Sequence, residues 1–175
     1  MGGVAGRNRN QTVRDMVLSL VVIGAFVAVI WSVLPHDATE KPPKAVTYEV
    51  ELVTARRAAD YPVAAPEGLA KTWKATSVRY NGAEFSSWHL GFHGSDDRYI
   101  AIEQSKERAS RFIDRVARRA DETDVTKEIG GKKWVRYEGS DYDALVLKEK
   151  GSTTVVTGKA TFADLEHMAG LLKMA

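Results

Sequence analysis

The stretch YIAIEQSKERASRFIDRVARRADE, from Tyr99 to Glu122, contains the change of hydrophobic period that decides the fold. Its first seven residues form a short run typical of a β-strand. After Ser105 the apolar residues recur with the 3.6-residue period of an amphipathic helix, at Ala109, Phe112, Ile113, Val116, Ala117 and Ala120. We therefore predict a strand followed by a helix that lies on a sheet, with Ser105 as the N-cap.

Short strand-like runs separated by turn residues lie on both sides of this stretch. Val46–Val53 and three runs before Ser105 precede the helix, and four runs follow it: VTKEI, KKWVRYE, YDALVLKEK and TTVVTG. A second helix follows these, with Thr161 and Asp164 spaced as a capping box. Hairpin-length connections favour antiparallel pairing. The sequence thus predicts an α+β domain, a mainly antiparallel sheet covered by two helices, with Trp73, Trp88 and Trp134 in the core.

The two halves of this domain share a local motif. Val78-Arg79-Tyr80 recurs 57 positions later as Val135-Arg136-Tyr137, and a glycine follows each tyrosine by two residues. Either an internal duplication or convergence of two similar hairpins explains this repeat, and the sequence leaves both open.

The longest apolar run extends from Met16 to Leu34, nineteen positions without a charged residue. A helix of that length spans roughly 28 Å, close to the ~30 Å hydrocarbon core of a bilayer. A secretory signal has a shorter apolar region and a small-x-small cleavage site, whereas WSVLPHDATE closes this run. We predict an uncleaved transmembrane helix. Cleavage after Leu34, which would release a secreted soluble domain, is the alternative.

The charges flanking this run predict its orientation. The formal net charge of +2 comes from the first fifteen residues, and 22 basic and 22 acidic residues remain in the rest of the chain. Arginines on the N-terminal side place that end in the cytoplasm, and a neutral body argues against nucleic-acid binding. The predicted organisation is a short cytoplasmic tail (1–15), a transmembrane helix (16–34), a proline-rich linker (35–44) and an extracytoplasmic α+β domain (45–175). Gly24 and Ala28 form a small-xxx-small pair through which two such spans would pack into an oligomer.

The residue types exclude several chemistries. The chain contains no cysteine, which removes disulfides, thiolate metal sites and cysteine nucleophiles. His89 and His93 lie in a strand-like run, where an i, i+4 pair is separated by about 13 Å and does not share a metal ion. Asp96 and Asp97 follow in a turn. We predict no cofactor and no metal, and the motifs of hydrolases, P-loop proteins and dinucleotide-binding proteins are missing.

Two segments are candidate interaction surfaces. Arg108, Arg111 and Arg115 lie on the predicted polar side of the first helix, where contact with anionic lipid headgroups competes with simple solvation. Pro62 and Pro66, in the segment YPVAAPEGL, fix an extended path that either wraps the sheet edge or forms a recognition surface.

Several of these segments together resemble a known family. They are the arginine-flanked span, ARRAADYPVAAPEGL, W-x-x-T-S-V-R, WHLGF, YIAIEQS, the strand that contains Trp134, and TTVVTG. The chain from about Gln11 to its end resembles the actinobacterial family catalogued as domain of unknown function 4245. This resemblance implies a cell-envelope protein held by one N-terminal helix, and it implies no activity. At the level of fold, the order of strands and helices is similar to the PsbP/Mog1-type sandwich.

These observations predict the location of the protein more precisely than its activity. The leading hypothesis is a single-pass membrane protein whose extracytoplasmic domain binds or scaffolds an envelope protein, a lipid or a wall component. The alternative is an extracytoplasmic hydrolase without a recognisable motif, for which His89 and Asp97 are the candidate residues.

Overall fold

The computed structural model describes residues 9–33 and 44–175. The chain divides into two units between Pro42 and Pro43, and each is described by itself. Most of the predicted tail and of the predicted linker therefore lies outside the described residues.

Helix α1 (Arg9–Val33) contains the long apolar run from Met16 as far as Val33. Its 25 residues correspond to roughly 37 Å of helix, and every side chain from Arg14 to Trp31 is exposed. By length and composition this segment is apolar enough to cross a membrane, and a signal sequence near the N-terminus would meet the same criterion.

The second unit contains three helices and nine strands among its described residues. The helices are α2 (Glu49–Ala58), α3 (Ala109–Val116) and α4 (Phe162–Leu171). The strands are β1 (Ala64–Pro66), β2 (Lys74–Asn81), β3 (Ser87–His93), β4 (Tyr99–Ser105), β5 (Asp121–Ile129), β6 (Lys132–Glu138), β7 (Asp143–Glu149), β8 (Ser152–Lys159) and β9 (Leu172–Met174).

Seven strands form one antiparallel sheet in the order β2-β3-β4-β8-β7-β6-β5. Each half is a meander of hairpins, and the pairing of β4 with β8 joins the two halves. The remaining strands, β1 and β9, form a small antiparallel sheet of their own. The predicted α+β class, with a mainly antiparallel sheet, is confirmed.

The sheet has a hydrophobic core on each face. Helix α4 packs on one face, where Leu165 and Met168 join a cluster that includes Trp88, Trp134 and Val156. Helix α3 packs on the opposite face, where its apolar residues join a second cluster; its members include Phe112, Ile113, Ala144, Val146 and Val155. Burial of Trp88 and Trp134 confirms their predicted place in the core, whereas Trp73 is only half-buried against it.

The predicted capping box of α4 is confirmed. The Thr161 hydroxyl accepts a hydrogen bond from the Asp164 N–H, and the Asp164 carboxylate accepts from the Thr161 N–H. Arg98 donates to the same carboxylate at 3.0 Å and links the β3–β4 turn to the helix. Burial raises the pKa of Asp164, but the bonds from Thr161 and Arg98 outweigh burial and hold that pKa below its usual value.

The lowered pKa of Asp164 predicts a loss of stability in acid. Its contribution is fully present above the unfolded pKa of about 3.9 and is lost as the pH falls through the lower folded pKa. We expect the free energy of unfolding to drop less between pH 7 and pH 3 in Asp164→Asn than in the wild type. Urea unfolding of the full chain in detergent micelles measures this drop, with Asp141→Asn, an exposed position, as the control. An equal drop in all three proteins would contradict the assignment.

The predicted strand over Val46–Val53 is wrong, because residues from Glu49 onward form α2. Val46, Tyr48, Val50 and Leu52 alternate as strand residues do, but Val50 is 72% exposed. A helical spacing decides the structure instead. Tyr48, Leu52, Ala55 and Ala59 lie at i, i+4, i+7 and i+11, and these four contribute to the core on the α4 face.

The predicted first helix is shorter than its hydrophobic pattern suggests. Ser105 ends β4 and is fully buried, and Arg108 is the N-cap residue in its place. At the other end, Arg118 and Arg119 adopt left-handed backbone conformations with φ of 50° and 62°. Two such residues in succession stop an α-helix, and the chain enters β5 at Asp121.

The repeated motif does not reflect a repeated packing unit. Val78 and Tyr80 in β2 pack against the core on the α4 face. The matching residues of β6, Val135 and Tyr137, pack against the core under α3. Equivalent side chains thus lie on opposite faces of the sheet, which favours convergence of two hairpins over duplication.

Candidate functional site

The α3 face of the sheet is covered over only one half. Val155 lies opposite Glu103 in the β4–β8 register, so Glu103 shares the face on which α3 packs. Strands β2 to β4 present a polar surface on that side, and its side chains are half-buried or exposed. We call this surface the open face and define it by Ser77, Arg79, His89, His93, Tyr99 and Glu103.

A continuous hydrogen-bonded chain crosses the open face. The His89 Nε2 atom lies 2.8 Å from the Ser77 hydroxyl oxygen, and the His89 Nδ1 atom lies 2.6 Å from the Glu103 Oε1 atom. The three residues lie on neighbouring strands, with His89 directly opposite Glu103 and diagonal to Ser77. The side chains of His89 and Glu103 are 20% and 16% exposed, so the chain is shielded but accessible from solvent.

Tyr99 extends this chain at the serine end. Its hydroxyl oxygen lies near that of Ser77, because both are within 2.6 Å of the position that a Cβ atom at residue 91 would occupy. Burial is the largest influence on Tyr99 and raises its pKa above the usual value of about 10. The phenol is therefore protonated at neutral pH and is available as a hydrogen-bond donor.

Gly91 makes room for this convergence. A Cβ atom at position 91 would lie 2.4 Å from the Ser77 hydroxyl oxygen and 2.6 Å from the Tyr99 hydroxyl oxygen. Both distances are shorter than van der Waals contact, so a larger residue would force the two hydroxyls apart. The buried glycine in the middle of β3 is thus part of the site, although it has no side chain.

We expect Gly91→Ala to destabilise the full chain by about 1–3 kcal/mol, because the added methyl group overpacks the surface between β2 and β4. Gly82→Ala is the matched control, since a Cβ there is 3.6 Å from its nearest neighbour. Urea unfolding in micelles measures both values. Equal effects at the two glycines would show that position 91 tolerates a side chain.

Aromatic side chains and an arginine continue the open face toward α3. The Tyr99 ring lies 5.0 Å from the His93 ring and 6.1 Å from the Tyr142 ring. The Arg118 guanidinium lies 4.0 Å from the centroid of the Tyr142 ring, within cation-π range. The left-handed conformation at Arg118 thus ends α3 and directs an arginine to this surface.

The residues singled out from the sequence lie at several places. His89 and His93 share one face of β3, and His89 belongs to the hydrogen-bonded chain. Asp96 and Asp97 lie in the exposed β3–β4 turn with left-handed φ. His89 and Asp97 therefore belong to different parts of the hairpin and do not form one constellation.

The proposed interaction residues are also separated. Arg108, Arg111 and Arg115 are exposed along α3, but Arg115 pairs with Glu107 at 2.7 Å. Pro62 is exposed, whereas Pro66 is buried in β1, which pairs with β9. The structure does not bring the arginines and the prolines together, and neither group belongs to the open face.

Two cavities lie away from the open face. A cavity of about 480 Å³ lies beside α2, with Val46, Tyr48, Pro66, Leu69, Trp73 and Phe92 in its lining. A cavity of about 220 Å³ near α3 includes Glu122, Tyr137 and Lys148. There the Tyr137 hydroxyl donates a hydrogen bond to Glu122. This bond, together with the nearby charge of Lys148, lowers the pKa of Glu122. These three side chains come from β5, β6 and β7. They include no imidazole, so they do not form a series of hydroxyl, imidazole and carboxylate.

Within residues 9–33 and 44–175, no group of three or more histidine, aspartate and glutamate side chains is arranged to hold a metal ion. The open face is instead suited to hydrogen bonding, proton transfer and stacking. Its hydroxyl, imidazole and carboxylate are connected in one series, which is the arrangement that activates a hydroxyl group.

Ser77, Tyr99 and Glu103 were not predicted as site residues. They are 12, 10 and 14 positions from His89, and only the strand registers bring them to it. The signal in the sequence is an alternation shared by three successive strands, in which most of the residues on one face are polar. Aligning those three strands through their hairpins would have placed a serine and a glutamate beside His89.

Comparisons with known proteins identify a family without adding an activity. No curated protein matches the chain, and no solved structure does either, so similarity to the PsbP/Mog1-type sandwich stays a prediction. A family model described as "Protein of unknown function (DUF4245)" matches residues 9–172, which include α1 and the whole open face. The resemblance seen in the sequence is thereby confirmed, and the chain belongs to this family of proteins of unknown function, DUF4245.

Proposed function

We propose that this chain is a single-pass membrane protein of the cell envelope whose domain, held outside the cytoplasm, binds a ligand through the open face. The length of α1 and its apolar residues support a membrane span. Arginines on the N-terminal side of that span support a cytoplasmic N-terminus. The sequence after the apolar run, without a small-x-small site, supports retention of the anchor.

The observation that carries the binding proposal is the hydrogen-bonded chain of Ser77, His89 and Glu103 on a surface that α3 leaves open. Polar side chains on a sheet with a solvated face are ordinary. An imidazole held from both sides, on the same face as a Tyr99 ring that contacts the His93 and Tyr142 rings, is a preorganised set of donors, acceptors and stacking surfaces. We propose that the ligand is a polar envelope component that lies across these strands.

Topology is tested by cysteine labelling, because the wild-type chain has no cysteine. We expect a membrane-impermeant maleimide to label Lys150→Cys, in the exposed β7–β8 turn, in intact cells. Gly6→Cys, on the other side of the apolar run, is expected to react only after the membrane is permeabilised. The opposite pattern would reverse the topology, and labelled protein in the medium would show that the anchor is cleaved.

Ligand binding is tested with a photo-crosslinking amino acid at Arg79, an exposed position of the open face. The matched control has the same amino acid at His167, which is exposed on α4. We expect a reproducible adduct from position 79 in intact cells, and a weaker one when His89→Ala is added. The same adducts from both positions, or none from position 79, would contradict a ligand on this face.

A further inference from the structure

The open face contains the groups that a covalent acyl transfer needs, and this inference rests on the proposal that the open face is the binding site. The diagnostic arrangement is a nucleophile within about 2.6–3.2 Å of a base that a third group orients. The Ser77 Oγ atom lies 2.8 Å from the His89 Nε2 atom, and the Glu103 Oε1 atom that orients His89 lies 2.6 Å from its Nδ1 atom. The arrangement is recognised by geometry and by the roles of its members, whatever their order in the chain.

The position of the protons follows from the partners. A carboxylate only accepts hydrogen bonds, so the His89 Nδ1 atom carries a hydrogen and donates it to Glu103. In the neutral imidazole the Nε2 atom then has a free lone pair, which accepts the hydrogen bond that the Ser77 hydroxyl donates. This is the tautomer that a general base requires.

Tyr99 supplies a donor beside the nucleophile. Its hydroxyl oxygen lies near the Ser77 hydroxyl oxygen, and the raised pKa of Tyr99 keeps its proton in place at neutral pH. A neutral donor in that position can stabilise the negative charge that develops on a carbonyl oxygen when a serine attacks it.

Strand β2 presents its serine at an irregular point. The β2–β3 register shifts between Ala75 and Ser77, which is a β-bulge or a similar irregularity. Bulges re-aim side chains and are frequent beside active sites. Because the open face is a surface of three neighbouring strands, a substrate bound there would lie extended across β2, β3 and β4.

We infer that Ser77 is the nucleophile and His89 the general base of an acyl-transfer site that cleaves carboxylic esters. The Ser77 oxygen bonds to the ester carbonyl carbon while its proton passes to His89 Nε2. The bond from that carbon to the alkoxy oxygen then breaks, and His89 returns the proton to the departing alcohol. Water attacks the acyl-serine by the same route, which releases the carboxylic acid and restores Ser77. Glu103 acts through His89 as a positioning residue.

The test is covalent labelling of the full chain in detergent micelles with an alkyl fluorophosphonate. The oxygen of an activated serine bonds to the phosphorus atom of this reagent and displaces fluoride. We expect one adduct, at Ser77 by peptide mass spectrometry. Ser77→Ala is expected to lose it, while Ser152→Ala, which changes a half-buried serine of β8, retains it. We expect His89→Ala to lower the labelling rate about 100-fold or more, with partial recovery in added imidazole. Both Glu103→Gln and Glu103→Asp are expected to lower the labelling rate at Ser77. The loss is expected to be smaller in Glu103→Asp, which keeps a carboxylate.

A second variant keeps the inference testable if Ser77→Ala fails to fold. Ser77→Cys introduces the only thiol in the chain, and we expect iodoacetamide to alkylate it faster than Ser152→Cys, with the excess lost when His89→Ala is added. Labelling elsewhere, no labelling, or a rate unchanged by His89→Ala would overturn the inference. If the adduct from position 79 persists without Ser77 labelling, the open face binds without cleaving esters. If both fail, the proposed function fails with the inference.

Discussion

Gly158→Ala is expected to destabilise the α+β domain strongly, because position 158 has no room for a methyl group. A Cβ atom there would lie 1.9 Å from the Tyr99 carbonyl oxygen and 2.8 Å from the Tyr99 carbonyl carbon. These neighbours are backbone atoms of β4, so no side-chain rotation relieves the overlap. Strands β4 and β8 would have to separate at the pairing that joins the two halves of the sheet.

The size of this effect follows from where the contact lies. A domain of this size has a total stability of about 5–15 kcal/mol, and losses above about 4 kcal/mol are found where a core or backbone contact cannot relax. We expect a loss of at least about 4 kcal/mol, seen as a urea transition of the full chain in micelles with its midpoint at a much lower urea concentration than in the wild type.

Gly170→Ala is the matched control for that experiment. Its Cβ would be 3.7 Å from the nearest neighbouring atom, on the exposed side of α4. Alanine favours a helix over glycine by about 1 kcal/mol, so this variant is expected to be slightly more stable than the wild type. A folded Gly158→Ala with wild-type stability would show that β4 and β8 lie farther apart than described.

The elements predicted correctly are those whose signals are local. Strands β2 to β8 follow runs bounded by turn residues, and the α4 capping box needs only Thr161 and Asp164, three positions apart. Helix α2 was missed because two periods overlap in one segment. The alternation at Val46 and Val50 is strand-like, but only contact with the core shows that Leu52 and Ala55 set the buried face.

The helix after β4 was overestimated for a different reason. Apolar residues at Ala117 and Ala120 continue the helical spacing, and both are buried. The two arginines between them adopt left-handed conformations, and nothing in their residue types requires this. Side-chain burial can therefore continue past the last hydrogen-bonded turn, and hydrophobic spacing alone does not locate the end of a helix.

The candidate site could be predicted only in part. His89 was identified as a candidate for catalysis, and the alternation of its strand placed it correctly on one face of β3. Its partners depend on register, which a hairpin sets through turn length and bulges. Ser77 keeps the register that the β2–β3 hairpin sets and lies opposite Gly91, and the register shifts only beyond it, between Ser77 and Ala75. A one-residue slip of β2 would place Ser77 on the other face.

The largest effect expected from a change of side chain is at Trp88. Its ring is 1% exposed in the core on the α4 face, and its Nε1 atom donates to the Ala64 carbonyl at 2.9 Å. The N–H of Ala64 is bound from the same side, by the Gln104 Oε1 atom at 2.6 Å. Two side chains of the large sheet thus hold both backbone groups of one residue in β1.

Trp88→Ala removes the ring and leaves the Ala64 carbonyl without its donor. Truncation of a buried tryptophan costs about 3–5 kcal/mol, and an unsatisfied buried carbonyl adds about 1–3 kcal/mol. We expect a loss of at least about 4 kcal/mol in urea unfolding of the full chain, with β1 and β9 the first to exchange their amide hydrogens.

Trp88→Phe and Trp73→Ala separate the two contributions. Phenylalanine retains most of the apolar volume but cannot donate, so Trp88→Phe is expected to lose less stability than Trp88→Ala while still exposing β1 to amide exchange. Trp73 is half-buried, and its ring lies 5.4 Å from the Arg98 guanidinium. Solvent already reaches this site, so Trp73→Ala is expected to lose less stability than Trp88→Ala. Equal losses at positions 73 and 88 would mean that β1 is held by its pairing with β9 alone. Unequal losses, with early exchange in Trp88→Phe, would mean that Trp88 holds β1, and with it the C-terminal strand, against the large sheet.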